Sequence, residues 1–146
     1  MAEAWRGTST LMRLVICTWI MEMVKQRRND DCGVACMAMI LGISYVDAEE
    51  CYDYTIGCAH TASMEKLLNK HGFALYVRNQ DRDADAIAYL LNCRSPAGSH
   101  WVVMTTEGEF YDPSPTPLQE YQGVNFYKIK PKCTNDVAHN AQANRF

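Results

Sequence analysis

A short stretch of the chain places a cysteine where it could act as a nucleophile. A charged loop ends at Asp31, and a run of small and apolar residues then extends from Cys32 to Gly42. Asp31 is a favourable N-cap and Gly42 a favourable helix stop, so Cys32 is predicted in the first turn of a buried helix. The free backbone N–H groups of such a turn lower the pKa of a thiol. Cys32 is therefore a candidate nucleophile with an expected low pKa.

Cysteine is also among the most frequently buried residue types, and most buried thiols are inert packing groups. Cys36, one turn further along the predicted helix, fits that description. Taken alone, Cys32 favours packing as well. Its assignment as a nucleophile therefore depends on other residues that would have to act with it.

Three other residues have the chemistry that a thiol nucleophile requires. His100 follows Gly-Ser and opens an apolar strand. Its ring would either face a cleft, where it could act as a base, or face solvent, and His100 alone favours neither. Asp112 ends the next predicted strand and would orient His100, although aspartate before proline is a common turn residue. Gln26 would form an oxyanion hole with the Cys32 N–H, although without further context a surface glutamine is favoured.

The elements that must position these residues follow from the apolar pattern of the chain. The predicted elements are helices at residues 32–41, 45–52, 61–71 and 81–91, and strands at residues 73–78, 100–106, 110–112 and 124–129. Ser44 is expected to open the second helix with a capping box, and His71 to lie at the end of the third. Residues 90–93 fit the start of a strand equally well, and residues 14–21 fit either a strand or a short helix.

Helices come first and an antiparallel sheet follows, which predicts an α+β fold with the helices packed on one side. The helix that carries Cys32 is apolar nearly all round, so we expect it to be central and buried. A length of 146 residues suits one domain with a real core. From residue 132 onward the chain is polar and is predicted to form a loose tail.

Composition excludes several classes of partner and site. The net charge of −3 gives no basic excess, so no nucleic-acid partner is expected. Seven cysteines at irregular spacings predict free thiols in a reducing, cytoplasmic compartment. Cys51, Cys58 and His60 lack a paired C-x-x-C motif, so no metal site is expected. No transmembrane segment is predicted, and residues 14–21 lack the cleavage site of a signal peptide.

Three blocks of sequence together resemble one family of enzymes. Gln26-x5-Cys32 within D-C-G-V-A-C-M-A-M-I-L, followed by S-H-W-V-V and F-Y-D-P-S, is similar to the bacteriocin-processing (double-glycine leader) cysteine peptidases. The resemblance covers roughly Met23 to Lys130 and implies a papain-like fold, with the cysteine-bearing helix packed against an antiparallel sheet. It implies that Cys32 is the nucleophile and His100 the general base and acid. It likewise implies that Asp112 orients His100 and that Gln26 completes the oxyanion hole.

The resemblance implies hydrolysis of a peptide or isopeptide bond in a peptide or protein substrate, with neither a metal nor an organic cofactor. Two alternatives stay open. In one, an amine accepts the acyl group, as in a transglutaminase-like transferase. In the other, a bacterial or phage protein keeps the fold without catalysis in a larger assembly, and a phage-encoded chain could reside in the virion. We expect the peptidase domain at residues 23–131, between an extension at 1–22 that would contact an assembly partner and a tail at 132–146.

Overall fold

The computed structural model describes residues 21–77, 85–96 and 98–132, with the side chain of Val124 excepted. The predictions for residues 1–20, 81–84 and 133–146 lie outside these ranges, and the division into extension, domain and tail stays a prediction. The helices are α1 (Cys32–Leu41), α2 (Tyr45–Ala48) with a 3₁₀ turn (Glu49–Cys51), and α3 (Thr61–Lys70). The strands are β1 (Tyr52–Asp53), β2 (Cys58–Ala59), β3 (Phe73–Val77), β4 (Ala88–Ser95), β5 (Gly98–Met104), β6 (Phe110–Tyr111) and β7 (Gly123–Pro131).

Five of the strands form one antiparallel sheet in the order β3-β7-β4-β5-β6. The last strand in the chain, β7, therefore lies between β3 and β4. The short strands β1 and β2 pair separately with each other. Helices precede this sheet in the chain and α1 packs against β5, so the predicted α+β class is confirmed.

Helix α1 is the centre of the molecule. Its residues from Cys32 to Ile40 are all buried, which confirms the central, buried helix that the sequence predicts. Gly42 ends the helix as expected, in the left-handed conformation with φ 64°, and its backbone N–H donates to the Ala38 carbonyl. Gly33 lets the helix approach its neighbours closely, because a Cβ at this position would lie 2.8 Å from the Ala59 Cβ and 3.2 Å from the Met64 Sδ.

Strand β4 corrects one prediction. The sequence favours a helix at 81–91, but residues 88–95 form a strand between β7 and β5. Both faces of this strand are covered, because Leu90 packs in the α1 core and Leu91 packs in a second cluster with Tyr89 and Cys93. An apolar run buried on both faces does not alternate, so its pattern does not separate a strand from a buried helix.

The remaining elements lie within a few residues of their predicted positions. Strands β3, β5, β6 and β7 occupy the predicted regions, and α3 ends just before His71 as expected. Ser44 Oγ accepts a hydrogen bond from the Asp47 N–H, which confirms the helix start. The helix that begins there is shorter than predicted, because it tightens into the 3₁₀ turn and Tyr52 already belongs to β1.

Two further observations concern membrane and metal binding. Among the described residues no single helix is long and apolar enough to cross a membrane, although Cys32–Leu41 with Tyr45–Cys51, bent by 117°, passes by length and composition as a pair. In the same part of the chain, no three histidine, cysteine or acidic side chains come together as a metal ion would require.

Candidate active site

The packing of α1 on β5 brings the Cys32 thiol to the strand that carries His100. Cys32 is the first residue of α1, and its Sγ accepts a hydrogen bond from the backbone N–H of Trp101 at 3.4 Å. Trp101 directly follows His100 in β5. The thiol therefore lies against the start of β5, although 69 positions of sequence separate the two bonded residues.

The predicted low pKa of Cys32 is wrong for this arrangement. Burial raises the pKa of the thiol, and the backbone N–H groups of Trp101, Gly33 and Cys32 itself lower it only in part. The neighbouring charge of Asp31 raises the pKa further. Within the described residues no hydrogen bond joins Sγ to the His100 ring, so no cation offsets the loss of hydration. The thiol is therefore protonated at neutral pH and needs a base before it can attack.

His100 and Asp112 form a buried pair, and His100 directly precedes the strand residue that binds the Cys32 sulfur. His100 Nε2 lies 2.6 Å from Asp112 Oδ1, and the two residues are 8% and 3% exposed. A carboxylate only accepts hydrogen bonds, so Nε2 carries a proton, and in the neutral form of the ring Nδ1 is the unprotonated nitrogen. This tautomer leaves Nδ1 able to take up a proton from a thiol.

The carboxylate of Asp112 remains ionised although it is buried. Burial raises its pKa, but hydrogen bonds from His100, from the Leu118 N–H and from the Ser114 N–H outweigh that effect, so the pKa is lowered. The two backbone bonds are each 2.9 Å long. Asp112 is thus both the partner of His100 and the turn residue that the sequence offered as the alternative.

The hairpin between β5 and β6 explains how Asp112 reaches His100. Val103 pairs with Tyr111, so Asp112 leaves the sheet about level with Val102, two residues from His100. The turn is closed by the Thr105 N–H, which donates to the Glu109 carbonyl at 2.8 Å. The sequence predicts such a short, offset hairpin, and the structure brings the two side chains together in this way.

Gln26 is held near the same segment. Its backbone N–H donates to the Pro113 carbonyl at 2.9 Å, and Lys25 Nζ donates to the carbonyls of Asp112 and Ser114. The Gln26 side chain is half-buried: Nε2 donates to the Arg28 carbonyl at 2.7 Å, and Oε1 is buried with no partner among the described residues. One hydrogen of the amide is therefore still available to another acceptor.

A cavity of about 530 Å³ begins at these groups. It is lined by the loop before α1, by the turn between β4 and β5, and by the proline-rich segment after β6. Gln26 and His100 both border it. Gln26 and His100 therefore face one cavity, which Cys32 does not line.

Asp31 occupies the predicted N-cap position of α1, but its side chain does not cap the helix. Its carboxylate makes no bond to the helix and instead accepts hydrogen bonds from the backbone N–H groups of Arg27, at 3.2 Å, and Arg28, at 2.9 Å. The first turn of α1 is bound by the Asp31 carbonyl, which accepts from Val34 and Ala35. The side chain does not cap the helix because the loop turns back toward Asp31 and its N–H groups occupy the carboxylate.

Several residues near the site were not found from the sequence. Lys25 has no signal beyond its place beside Gln26, and Trp101 contributes only its backbone. Ser114 had one available signal, because serine two residues after aspartate is typical of a turn in which the carboxylate binds the serine N–H. Tyr121 lies close to Asp112, and burial followed by the Asp112 charge raises its pKa to about 12.

Three of the other described thiols, those of Cys36, Cys51 and Cys93, are packing groups. Burial raises the pKa of Cys36 well above its ordinary value, as expected for a residue of the core. It also raises the pKa of Cys51 to about 12 and that of Cys93 to about 11. Cys32, Cys36, Cys51, Cys58 and Cys93 are all free.

The fold is similar to solved peptidase domains, although no protein-family model and no curated protein matches the chain. A double glycine motif protease from an AMS/PCAT transporter, crystallised in complex with the leader peptide, has a TM-score of 0.59 at 15% identity, over 77% of this chain and 93% of that chain. The peptidase domain of Streptococcus ComA, a bi-functional ABC transporter involved in quorum sensing, has a TM-score of 0.58 at 16% identity, over 77% and 100%. The predicted papain-like fold is confirmed, and these neighbours are of the kind that the sequence resembles.

Proposed function

We propose that the chain is a cysteine peptidase in which Cys32 is the nucleophile and His100 the general base and acid. The observation that carries this proposal is the 2.6 Å hydrogen bond between His100 Nε2 and Asp112, made next to the strand residue that binds the Cys32 sulfur. The bond to the ionised carboxylate makes Nε2 the protonated nitrogen of the neutral ring. Nδ1 is then the nitrogen that can accept a proton from an acidic group. We assign the Cys32 thiol as the group that gives this proton.

The reaction begins with a neutral thiol and a neutral imidazole. His100 Nδ1 takes the thiol proton as Sγ attacks the substrate carbonyl, and Asp112 stabilises the imidazolium that forms. The backbone N–H of Cys32 and the amide of Gln26 donate to the oxyanion. The C–N bond breaks as His100 gives its proton to the leaving amine, which leaves a thioester. Water, deprotonated by His100, then releases the acid and restores the thiol.

The substrate class follows from the cavity and from the comparisons. A cavity of about 530 Å³ that borders His100 and Gln26 has room for a polypeptide segment, not only for a small amide. One structural neighbour is a double glycine motif protease that was crystallised with a leader peptide. We therefore propose a peptide with two glycines before the cleaved bond as the first substrate, with an isopeptide bond as the alternative linkage.

One observation favours a second candidate, a non-catalytic protein with this fold. Cys32 is only 8% exposed, and its pKa is raised. A thiol with these properties reacts slowly unless a base assists it. The two candidates therefore differ in whether His100 activates Cys32, and that difference is measurable without a substrate.

The first experiment measures alkylation by iodoacetamide at each cysteine by mass spectrometry. If His100 is the base, Cys32 reacts faster than the buried Cys36, Cys51 and Cys93, and His100→Ala slows Cys32 alone. His60→Ala is the matched control, because His60 is an exposed residue at the start of α3. Equal rates at Cys32 in the wild type and in His100→Ala would favour the non-catalytic protein.

The second experiment measures turnover of a peptidyl-Gly-Gly aminomethylcoumarin amide and of a mixed peptide library. We expect cleavage by the wild type, none by Cys32→Ala, and cleavage by Cys36→Ala, which removes a thiol from the same helix. Incorporation of a labelled amine in place of water would identify the transferase. Cleavage by Cys32→Ala at the wild-type rate would contradict the proposal.

A further inference from the structure

Asp31 is a buried carboxylate without a counter-ion. It is 0% exposed, and among the described residues no ion pair includes it. The guanidinium of Arg27 lies 4.0 Å from the centre of the Tyr45 ring, and that of Arg28 binds Glu49 Oε2 at 3.2 Å, so neither forms an ion pair with Asp31, although the Arg28 charge acts on Asp31 from a distance. Burying an unpaired carboxylate is costly unless hydrogen bonds hold it. The backbone N–H groups of Arg27 and Arg28 supply those bonds.

These hydrogen bonds lead from Asp31 to Gln26. Asp31 Oδ1 accepts from the Arg28 N–H at 2.9 Å, and the Arg28 carbonyl accepts from Gln26 Nε2 at 2.7 Å. Arg28 is therefore fixed by Asp31 through its N–H and fixes the Gln26 amide through its carbonyl. At its other end the same loop is held by the hydrogen bond from the Gln26 N–H to the Pro113 carbonyl.

The charge of Asp31 does not favour the chemistry of its neighbour. Asp31 directly precedes Cys32, and its charge contributes to the raised pKa of the thiol. An electrostatic role would therefore oppose formation of the nucleophile. The benefit of the carboxylate must lie in the geometry of the loop, since the Asp31 carbonyl also binds the first turn of α1.

We propose that Asp31 is a positioning residue, which holds the Gln26 amide beside the Cys32 N–H so that both can donate to one oxyanion. The inference rests on the proposed function, because only acyl transfer needs that oxyanion site. One residue then sets the place of both donors: its side chain fixes the loop that carries Gln26, and its main chain fixes the helix start that carries Cys32.

The test compares Asp31→Asn with Asp30→Asn. Asparagine keeps the shape of Asp31 but has one acceptor oxygen for the two backbone N–H groups. Asp30→Asn removes the same charge one residue away, where the exposed carboxylate accepts, within the described part of the chain, from the Tyr52 hydroxyl. For the peptidyl-Gly-Gly aminomethylcoumarin amide, we expect Asp31→Asn to lower kcat about tenfold or more while KM changes by less than about twofold. Asp30→Asn should leave both constants near wild type.

Two further readouts separate positioning from simple loss of structure. Alkylation of Cys32 should not slow in Asp31→Asn, because removal of a negative charge lowers the thiol pKa. In a Gln26→Ala background, Asp31→Asn should lower kcat by less than about threefold more, because the donor that it positions is already gone. Slower alkylation, or a full multiplicative loss in that background, would overturn the proposal.

The Gln26 side-chain amide gives a readout that needs no substrate. Its pair of NMR signals is assigned by its loss in Gln26→Ala. We expect Asp31→Asn to move this pair toward the shifts of a free glutamine and Asp30→Asn to leave it in place. A wild type without turnover on any peptide would contradict the proposed function, while this response would still support the link from Asp31 to Gln26. An unchanged pair in Asp31→Asn would overturn the link itself.

Discussion

The carboxylate of Asp112 serves the imidazole and the backbone together. It accepts one hydrogen bond from the His100 ring and one each from the backbone N–H groups of Ser114 and Leu118. Three donors around one buried carboxylate hold it ionised and stop it from turning away from the ring. A single side chain thus couples the tautomer of His100 to the shape of the segment after β6.

This coupling predicts a pH-dependent stability. The pKa of Asp112 is lowered from its ordinary value of 3.8 in the folded protein, so its charge stabilises the fold above that value. The contribution is lost as the pH falls through the folded-state pKa, where the carboxylate takes up a proton. We expect Asp112→Asn to be about 1–3 kcal/mol less stable than the wild type near neutral pH. The difference should shrink as the pH is lowered below 3.8.

Urea unfolding of both proteins across this pH range measures the difference. Asp47→Asn is the control, since Asp47 has an exposed side chain on a short helix and should give a small difference at every pH. A stability difference between Asp112→Asn and wild type that is the same at all pH values would show that the charge has no such role.

The sequence predicted the pairing of His100 with Asp112 but not the state of the Cys32 thiol. His100 and Asp112 lie in consecutive strands of one hairpin, so their pairing could be inferred from the order of elements and from the resemblance. The pKa of Cys32 instead depends on how deeply α1 is covered and on a backbone N–H from Trp101 in β5. Neither is encoded in the residues around Cys32.

At the scale of elements, the position at which α1 starts depends on Gly33, which has no side chain. Gly33 meets Ala59 of β2, Met64 of α3 and Trp101 of β5 within the space that a single methyl group would need. Three elements converge on the residue that follows the nucleophile. The position of Cys32 relative to β5 therefore depends on the glycine beside it.

Gly33→Ala is expected to destabilise the protein although alanine is the better helix former. Alanine gains about 1 kcal/mol in helix propensity, but its Cβ would lie 2.8 Å from the Ala59 Cβ, and such overpacking costs about 1–3 kcal/mol and displaces the helix. The free energy of unfolding in urea measures the effect. Adding Ala59→Gly removes the contacting methyl group and should restore part of the loss, with Ala59→Gly alone as the reference. A Gly33→Ala variant as stable as the wild type would contradict this packing.

Strand β4 shows why element type is harder to predict than element position. Residues 88–95 place apolar side chains in both the α1 core and the second cluster. They do so because β7 and β5 flank the strand and both faces of the sheet are covered. The half-covered elements, α3 and β3, kept their periodic patterns and were predicted within a residue or two. Burial on all sides removes the pattern from which the type of element is inferred.

At the scale of the whole molecule, the site depends on the attachment of the loop before α1 to the segment after β6. Lys25 Nζ donates to the carbonyls of Asp112, at 3.2 Å, and Ser114, at 2.9 Å, and the Gln26 N–H donates to Pro113. These bonds connect the part of the chain that carries Cys32 to the part that holds His100 in place. The resemblance predicted the residues of the site, but it gave no sign of this connection.

Lys25→Met tests the connection. Methionine keeps the apolar stem and removes both donors, so we expect a stability loss of about 0.5–1.5 kcal/mol per bond, at its lower end because Lys25 is exposed. Hydrogen exchange should quicken at residues 26–28 and 113–118, and kcat should fall more than KM rises. Lys70→Met, which breaks an exposed ion pair with Glu50, is the control and should change none of these. Unchanged exchange at 113–118 in Lys25→Met would contradict the role of Lys25.

The place of β7 in the sheet has a consequence for how the chain is made. Cys32, His100 and Asp112 all leave the ribosome before Gly123–Pro131, yet that strand supplies the hydrogen-bonding partner of both β3 and β4. Until β7 is synthesised, β3 is not joined to β4, β5 and β6. Both β3 and β4 then have an edge without a hydrogen-bonding partner. We therefore expect a nascent chain to carry all of its reactive groups without the framework that aligns them. The proposed catalytic residues would then act on other polypeptides only after β7, which ends at Pro131, has been synthesised.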